Sequence, residues 1–210
     1  DPSLRPEDGF HQNLSFEKTL SNGLVSLNLF HDVVDDTIFN SSTTFVAADN
    51  SQASVTTALP VSEVTTRGAE LVVQQTGFLG TALDLQFNVS YTDASITENV
   101  FDPSIVDNDF PRIPRWRSNL LLSYPISRDV QLSGGLRYAS NSFGRLDNAD
   151  TGSEIFGAQD EFLFVNSKLS WQPSKSMRFG VGVDNILDEQ AFVFHPWPGR
   201  TAYLESKFEF

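Results

Sequence analysis

Cysteine is absent from the 210-residue chain, and basic residues are scarce in it. Without cysteine the chain has no disulfide framework, no thiolate nucleophile and no cysteine-based zinc site. The 14 lysines and arginines are outnumbered by 27 aspartates and glutamates, which leaves a formal charge of -13 and no basic stripe for a phosphate backbone. The histidines, His11, His31 and His195, follow no metal-ligand spacing. We therefore expect no nucleic-acid partner, metal or cofactor, and no arrangement of Ser, His and Asp indicates an enzyme.

Long apolar runs are also missing. The apolar patches, such as 120–122, cover only a few residues, whereas a membrane-spanning helix needs about 20. A helical membrane protein is thereby excluded. The sequence starts with "DPSLRPED", without an initiating methionine or an export signal. We read it as a mature portion or a fragment of a longer protein.

The chain does have a hydrophobic period of two. Leu85 and Phe87, for example, alternate with Gln86 and Asn88, as expected of a β-strand whose two faces meet different environments. The pattern predicts about nine strands and no helix. The segments that show it are 14–16, 25–29, 69–73, 83–91, 120–124, 130–138, 163–171, 177–184 and 202–210.

Short and long connections alternate between these segments. Tight turns rich in Gly, Pro, Asn or Asp lie at 21–23, 77–81, 125–129 and 173–176. The long polar connections run from Asp35 to about Val64, from Asp93 to about Pro114, from Asn141 to about Asp160 and, shorter, from about Asp188 to Gly199. This order predicts an antiparallel up-and-down meander with its tight turns at one end and its long loops at the other.

Such a meander fits either a soluble barrel or sandwich, or a transmembrane β-barrel whose apolar row faces lipid. Three features favour the membrane barrel. The polar rows contain Ser, Asn, Gln, Gly and Asp rather than the Lys and Glu of a solvated face. Several apolar rows end in aromatic residues, such as Tyr91, Tyr138 and Trp171, where an interfacial girdle would lie. The alternation also persists for about the length that a tilted strand needs to cross a bilayer.

The last strand ends on an aromatic residue, in "TAYLESKFEF". Burying an apolar row there in lipid is favourable, by about 2 kcal/mol for one phenylalanine, whereas the same row in water would be an edge-strand liability. The ending resembles the signal read by the bacterial barrel-assembly machinery. We therefore assign this role to Leu204, Phe208 and Phe210.

Four further segments strengthen a family resemblance. "GVDNILDEQAFVFHPWPGRTAYLESKFEF" at 182–210 is similar to the closing segment of TonB-dependent outer-membrane receptors. In the family's order, "DPSLRPED" at 1–8, "TTRGAEL" at 65–71 and "RIPRWRSNLLLSY" at 112–124 resemble the starts of its barrel strands. Together the matches cover nearly the whole chain.

The resemblance implies a barrel of the bacterial cell outer membrane, 22-stranded and occluded by an N-terminal plug. Such receptors import scarce nutrients, iron-siderophore complexes above all, with energy from the TonB complex. Residues 1–210 would be the C-terminal, partial barrel of about nine strands, with short periplasmic turns and long extracellular loops. The plug would be absent from this chain. The alternative is a self-contained small outer-membrane barrel with a structural or adhesive role.

Loop aromatics are the candidate contacts for a small-molecule ligand, including a metal chelate, because loops on a rigid scaffold often carry binding. They equally suit packing of the loops into a cap. The candidates are Phe39, Phe45, Phe101, Phe110, Phe143 and Phe156, together with His195 and Trp197, which also suit a structural role in the last turn.

Charged residues fall into two groups. The loops are acidic, which suits either simple solvation or attraction of cations, including calcium bridging to lipopolysaccharide. Charges on the polar rows are expected to pair across strands or to meet a plug. They are Glu70, Arg137, Lys168, Arg178, Asp184, Glu205, Lys207 and Glu209.

Overall fold

The computed structural model describes residues 4–46, 48 and 52–209, without the side chains of 41–46 and 52–55. Within these residues the chain is all-β, apart from two 3-10 turns at Phe78–Gly80 and Pro103–Ile105. The strands are β1 (Asp8–Leu20), β2 (Gly23–Val46), β3 (Gln52–Gln75), β4 (Asp84–Glu98), β5 (Trp116–Pro125), β6 (Val130–Ala139), β7 (Phe162–Ser174), β8 (Met177–Asp184), β9 (Phe192–Val193), β10 (His195–Pro196) and β11 (Thr201–Phe208).

One antiparallel sheet of nine strands follows chain order, from β1 through β8 to β11. The remaining pair, β9 and β10, forms a small separate ribbon between β8 and β11. The sheet is open in the described residues, so β1 and β11 are its edges. The predicted up-and-down meander of about nine strands is confirmed.

The register carries each strand's alternation across the whole sheet, because residues directly opposite in an antiparallel pair share a face. Phe87 on β4 lies opposite Leu120 on β5, which in turn lies opposite Leu136 on β6. The other face is polar: Asn88 lies opposite Asn119, and Asn119 opposite Arg137. The wall therefore has one apolar face and one polar face.

Aromatic residues mark both ends of the apolar face. At the loop end, the rings of Tyr91 and Trp116 are 4.9 Å apart. At the turn end, Phe179 lies 5.7 Å from Trp171 and 5.9 Å from Phe208, measured between ring centroids. These pairs stand where a transmembrane barrel has its interfacial girdles.

The short turns all lie at one end, as predicted. β1 and β2 are joined by two residues, and so are β7 and β8. In the 77–81 turn the backbone is left-handed at three positions: φ is 66° at Gly77, 54° at Leu79 and 74° at Gly80. Glycine adopts this left-handed backbone without the steric cost that Leu79 bears.

The predicted loop from Asp35 to about Val64 is wrong for most of its length. β2 and β3 continue pairing up to Val46 and Gln52, so most of this segment is a β-hairpin that extends beyond the rest of the sheet. Its Thr and Val residues favour extended backbone, and the two arms satisfy each other's backbone hydrogen bonds. Polar composition therefore did not indicate a loop here.

Candidate functional site

The projecting hairpin packs against the β4–β5 loop. Val61 and Ile96 are fully buried, and Phe39 is 8% exposed; they form a cluster with Val64 and Ile105. The positive φ of Asp36 and the bulge between residues 63 and 64 fall where the hairpin leaves the regular sheet.

An aromatic ring and a guanidinium from the β4–β5 loop pack on Phe39 in this cluster. The Phe110 ring meets Phe39 edge-on at 5.8 Å between centroids. The Arg112 guanidinium carbon lies 5.2 Å from the centroid of the Phe39 ring. Leu146, from the β6–β7 loop, packs on the same cluster. Three long connections thus share one apolar core above the wall, which we call the loop cap.

Hydrogen bonds tie the β4–β5 and β6–β7 loops to each other. The backbone N–H of Asp109 donates to Asn148 Oδ1 at 2.8 Å, and Asn148 Nδ2 donates back to the Asp109 carbonyl at 3.0 Å. Asn108 Nδ2 donates to the Leu146 carbonyl at 2.8 Å. Within the β4–β5 loop, Arg115 donates a hydrogen bond to the Asp109 carboxylate. This hydrogen bond, and after it the Coulombic attraction of the same carboxylate, raises the pKa of Arg115. The two loops are therefore positioned together.

A second cluster lies where the last loop crosses the wall. Phe162 and Phe164 on β7 stack at 4.5 Å, and Trp197 stacks on Phe164 at 5.3 Å. Ala139 and Ala191 complete the buried part of the cluster. The Arg137 guanidinium carbon is 5.1 Å from the Trp197 ring centroid and 5.7 Å from that of Phe162. Aromatic rings thus hold the last loop against the polar face.

Asn185 organises the last loop from its beginning. It is 3% exposed and has a positive φ of 52° directly after β8. Its Nδ2 donates to the carbonyls of Glu189 and Pro198, and its Oδ1 accepts from the Glu189 N–H. Its own N–H donates to Asn166 Oδ1 on β7. The "VDNILD" segment at 183–188 therefore shapes the loop, through an asparagine in the left-handed conformation that this residue tolerates.

An open cleft of about 370 Å³ lies between the β6–β7 loop and the last loop. Several of its acidic residues act as acceptors that shape these loops. Asp160 Oδ2 accepts from the N–H groups of Phe192 and Glu154, and Asp150 Oδ2 accepts from Gly144. Across the described residues, no group of three or more His, Asp or Glu side chains is placed to hold a metal ion.

Below the loops, the polar face bears a second cleft of about 290 Å³. Its polar lining consists of amide side chains and one guanidinium, with no carboxylate. These residues are Gln74, Gln86, Asn88, Asn119, Arg137 and Asn166.

The predicted ligand contacts are distributed between the interior and the surface of the loops. Phe39 is buried and Phe110 and Phe143 are partly buried, whereas Phe101 is 54% and Phe156 73% exposed. Phe156 nevertheless meets the His195 ring edge-on at 5.8 Å, and Trp197 remains 38% exposed. The side chain of Phe45 lies outside the described residues.

Of the predicted assembly signal, Leu204 and Phe208 lie on the apolar face of β11, with 85% and 48% exposure. Phe210 lies outside the described residues.

The polar-face charges are expected to pair across strands or to meet a plug, and cross-strand pairing is confirmed for one pair. Lys168 Nζ donates to Glu205 Oε2 at 2.8 Å, across the intervening strand β8. The bridge passes Gly180, where an added Cβ would come within 3.0 Å of Lys168 Cε. Arg137 contacts aromatic rings instead of a carboxylate. The alternating pattern predicted that Arg137 lies on the polar face. It did not predict which residues Arg137 contacts, because these depend on strand register.

The described part of the chain contains no helix long and apolar enough to cross a membrane. The nine-stranded sheet has the features of a segment of an outer-membrane-type transmembrane β-barrel. These are the up-and-down order of its strands, its one apolar and one polar face, and the aromatic residues at both ends of the apolar face. The family model for the TonB dependent receptor-like β-barrel matches residues 1–186. The chain therefore belongs to the TonB-dependent receptor family, whose barrels are outer-membrane transporters rather than enzymes.

Solved structures of similar fold include the ferric yersiniabactin uptake receptor FyuA from Yersinia pestis, with a TM-score of 0.77 and 15% identity over 97% of this chain. The copper transporter OprC has a TM-score of 0.75 and 18% identity over 100% of the chain. The ferric enterobactin receptor PfeA from Pseudomonas aeruginosa has a TM-score of 0.72 and 17% identity over 100%. The chain spans 30%, 32% and 32% of these structures respectively. No curated protein matches the chain.

Proposed function

We propose that residues 1–210 supply the C-terminal barrel strands and several extracellular loops of a TonB-dependent receptor in the bacterial outer membrane. The receptor actively imports a scarce nutrient, an iron-siderophore complex. The observation that carries this proposal is the family match over 1–186. The names of FyuA and PfeA as ferric-siderophore receptors support iron as the cargo.

The open sheet favours this proposal over a self-contained small barrel. A complete barrel has no edges, whereas β1 and β11 are both edges of the described sheet. In the proposed receptor, further barrel strands pair with these edges. A plug occupies the lumen and engages the TonB complex, and lipid and lipopolysaccharide surround the apolar face. The barrel-assembly machinery reads the last strand.

Uptake by the intact receptor tests the function. The gene that encodes this chain would be deleted, and growth on iron-limited medium measured with ferric enterobactin, ferric yersiniabactin or another supplied ferric siderophore. We expect growth on at least one of them to require both this gene and TonB. Growth that is independent of the gene on every chelate would contradict the proposal, and a selective defect in copper accumulation would redirect it to copper, the cargo named for OprC.

We further propose that the exposed loop aromatics contact the ligand. Among the phenylalanine candidates whose side chains the structure describes, Phe101 and Phe156 have the largest exposed fractions. Replacing either with alanine should weaken binding by about fivefold or more, since an aromatic contact contributes about 1–2 kcal/mol. Leu79→Ala is the matched control, because Leu79 is 80% exposed but lies in a turn at the opposite end of the wall. Equal affinities for all three variants would contradict these contacts.

A further inference from the structure

The last strand of the sheet, β11, is not joined to its neighbour β8 by a tight turn. A short hairpin turn fixes the register of its two strands, but the long connection 185–200 separates β8 from β11. The alternation of apolar and polar residues excludes a slip by one position, because every side chain would then turn to the wrong face. A slip by two positions preserves both faces, so other contacts must exclude it.

Two glycines leave the polar face of β8 without side chains along part of its length. Gly182 lies opposite Tyr203 of β11 on one side and opposite Lys168 of β7 on the other. Gly180 lies opposite Glu205 of β11. Side chains from the two neighbouring strands therefore have room to lie across β8.

The space over Gly182 is filled by the Tyr203 ring. A Cβ added at Gly182 would come within 2.5 Å of the Tyr203 hydroxyl oxygen and would also meet the ring. Tyr203 is partly buried, whereas the other residues of β11 are exposed. A ring that covers a glycine supplies the cross-strand side-chain contact that glycine itself lacks.

The space over Gly180 is filled by the Lys168 side chain. A Cβ added at Gly180 would lie 3.0 Å from Lys168 Cε, and Lys168 Nζ continues across β8 to Glu205 Oε2 at 2.8 Å. An ion pair that solvent reaches contributes little to stability. The aliphatic stem of Lys168 nevertheless occupies a volume that no second side chain can share.

These two side chains oppose the two-residue slips in both directions. A slip one way would set Tyr203 opposite Gly180, where the Lys168 side chain already lies. A slip the other way would set Tyr203 opposite Asp184, which has a side chain where Gly182 has none. Of these three registers, only the observed one places the ring over a glycine with open space above it.

A second ring covers a glycine on the same face of the sheet. Phe30 of β2 lies directly opposite Gly68 of β3, and a Cβ added at Gly68 would come within 2.5 Å of Phe30 Cζ. The recurrence of an aromatic residue opposite a glycine argues against a chance contact at Tyr203.

We propose that Tyr203 and Lys168, each lying over a glycine of β8, set the register of β11, the last strand of the proposed receptor barrel. They are positioning residues of the polar face, whereas Leu204 and Phe208 of the predicted assembly signal lie on the apolar face. The proposal concerns the barrel and is independent of its cargo, because strand positions can be read without measuring uptake.

Disulfide cross-linking of the full-length receptor that contains this chain reads the register, since the chain has no cysteine of its own. Ala202→Cys with Val183→Cys reports the observed register, in which these residues are directly opposite. Ala202→Cys with Val181→Cys reports one slip, and Leu204→Cys with Val183→Cys reports the other. Directly opposite Cα atoms are about 4.5–5.5 Å apart and diagonal ones about 7–8 Å, so only directly opposite residues suit a disulfide.

Each cysteine pair is placed in the wild type, Tyr203→Ala, Tyr203→Phe, Lys168→Ala and the control Tyr124→Ala. After mild oxidation of outer membranes, mass spectrometry of the digested receptor measures the share of each cross-link. We expect the observed pair to dominate in the wild type and the slipped pairs to increase severalfold in Y203A. Y203F keeps the ring and should match the wild type, and K168A should increase only the slip that joins residues 202 and 181. Tyr124 lies on β5, away from β8, so Y124A should match the wild type.

Three results would overturn the proposal. The wild type cross-links a slipped pair as readily as the observed pair, or either Y203A or K168A keeps the wild-type distribution. In the third, Y124A redistributes the cross-links as Y203A does, which would show a general loosening of the barrel. Gly182→Ala carries the test if Y203A does not insert, because the added methyl group displaces the ring while Tyr203 stays in place. G182A should give the redistribution expected of Y203A, and a wild-type distribution in G182A would equally contradict the proposal.

Discussion

A positive charge on the apolar face should destabilise the barrel most at mid-height. On β5, Trp116 and Tyr124 mark the two ends of the apolar band, and Leu120 lies midway between them. The span from 116 to 124, at about 3.3 Å per residue and tilted by about 40°, covers about 20 Å of height, close to the apolar band of such barrels. Leu120 therefore lies near the bilayer midplane, at the level of Phe87 and Leu136.

The expected penalties follow from this height. Leu120→Arg should lower the free energy of unfolding by about 2–4 kcal/mol, the range for a lipid-facing arginine at the bilayer midplane. Leu132→Arg should cost at most about 1 kcal/mol, because Leu132 lies opposite Tyr124 at the level of the girdle. Gln86→Arg is the matched control: it adds the same charge on the polar face, beside Phe87, and should change stability by less than about 0.5 kcal/mol.

Denaturant unfolding of the full-length receptor in phospholipid vesicles, followed by tryptophan fluorescence, measures these differences. The order of destabilisation should be Leu120, then Leu132, then Gln86. Equal tolerance at all three positions would refute the lipid-facing assignment and would favour a soluble barrel. A larger effect at Leu132 than at Leu120 would refute the placement of the midplane.

Three further predictions concern the lumen, the loops and the chain end. Gly180→Val should break the bridge that Lys168 makes across β8, because the added side chain would meet Lys168 Cε. The pair is exposed to solvent, so the loss of stability in denaturant unfolding should be small, and an unchanged bridge in a crystal structure of the variant would contradict the prediction. Desolvation raises the pKa of Asp147, but hydrogen bonds from Arg145 and a backbone N–H outweigh it and lower the pKa overall. The pair should therefore stabilise its loop at neutral pH and lose this effect as the pH falls through the lowered pKa of Asp147. The thermal midpoints of R145A and wild type should differ slightly at pH 7 and converge once the pH is below that lowered pKa; a difference that widens in acid would contradict the prediction. Deleting Phe210 should reduce insertion of the full-length receptor, and normal outer-membrane yield would exclude its role in assembly.

The strands and turns were predictable because a wall between lipid and a polar lumen imposes the same alternation on every strand. Polar composition was a poor guide to loops, as the paired segment from Asp35 to Val64 shows. In that segment the backbone hydrogen bonds are satisfied between two strands, so the side chains are free to be polar. The family resemblance, carried by short motifs, was confirmed over 1–186.

The neighbours of each functional side chain were not predictable. The pattern placed Arg137 on the polar face, but its stacking on Trp197 joins residues sixty positions apart through the path of the last loop. Burial of Phe39 likewise needs the β4–β5 loop to fold over the hairpin.

The sequence by itself determined the strand period, the two faces, the turn end and the family, because these follow from local alternation and short motifs. Only the tertiary structure decided which loop aromatics are buried in the cap and which polar-face charges are paired. These depend on register and on loop packing between distant segments, and no local pattern encodes either one.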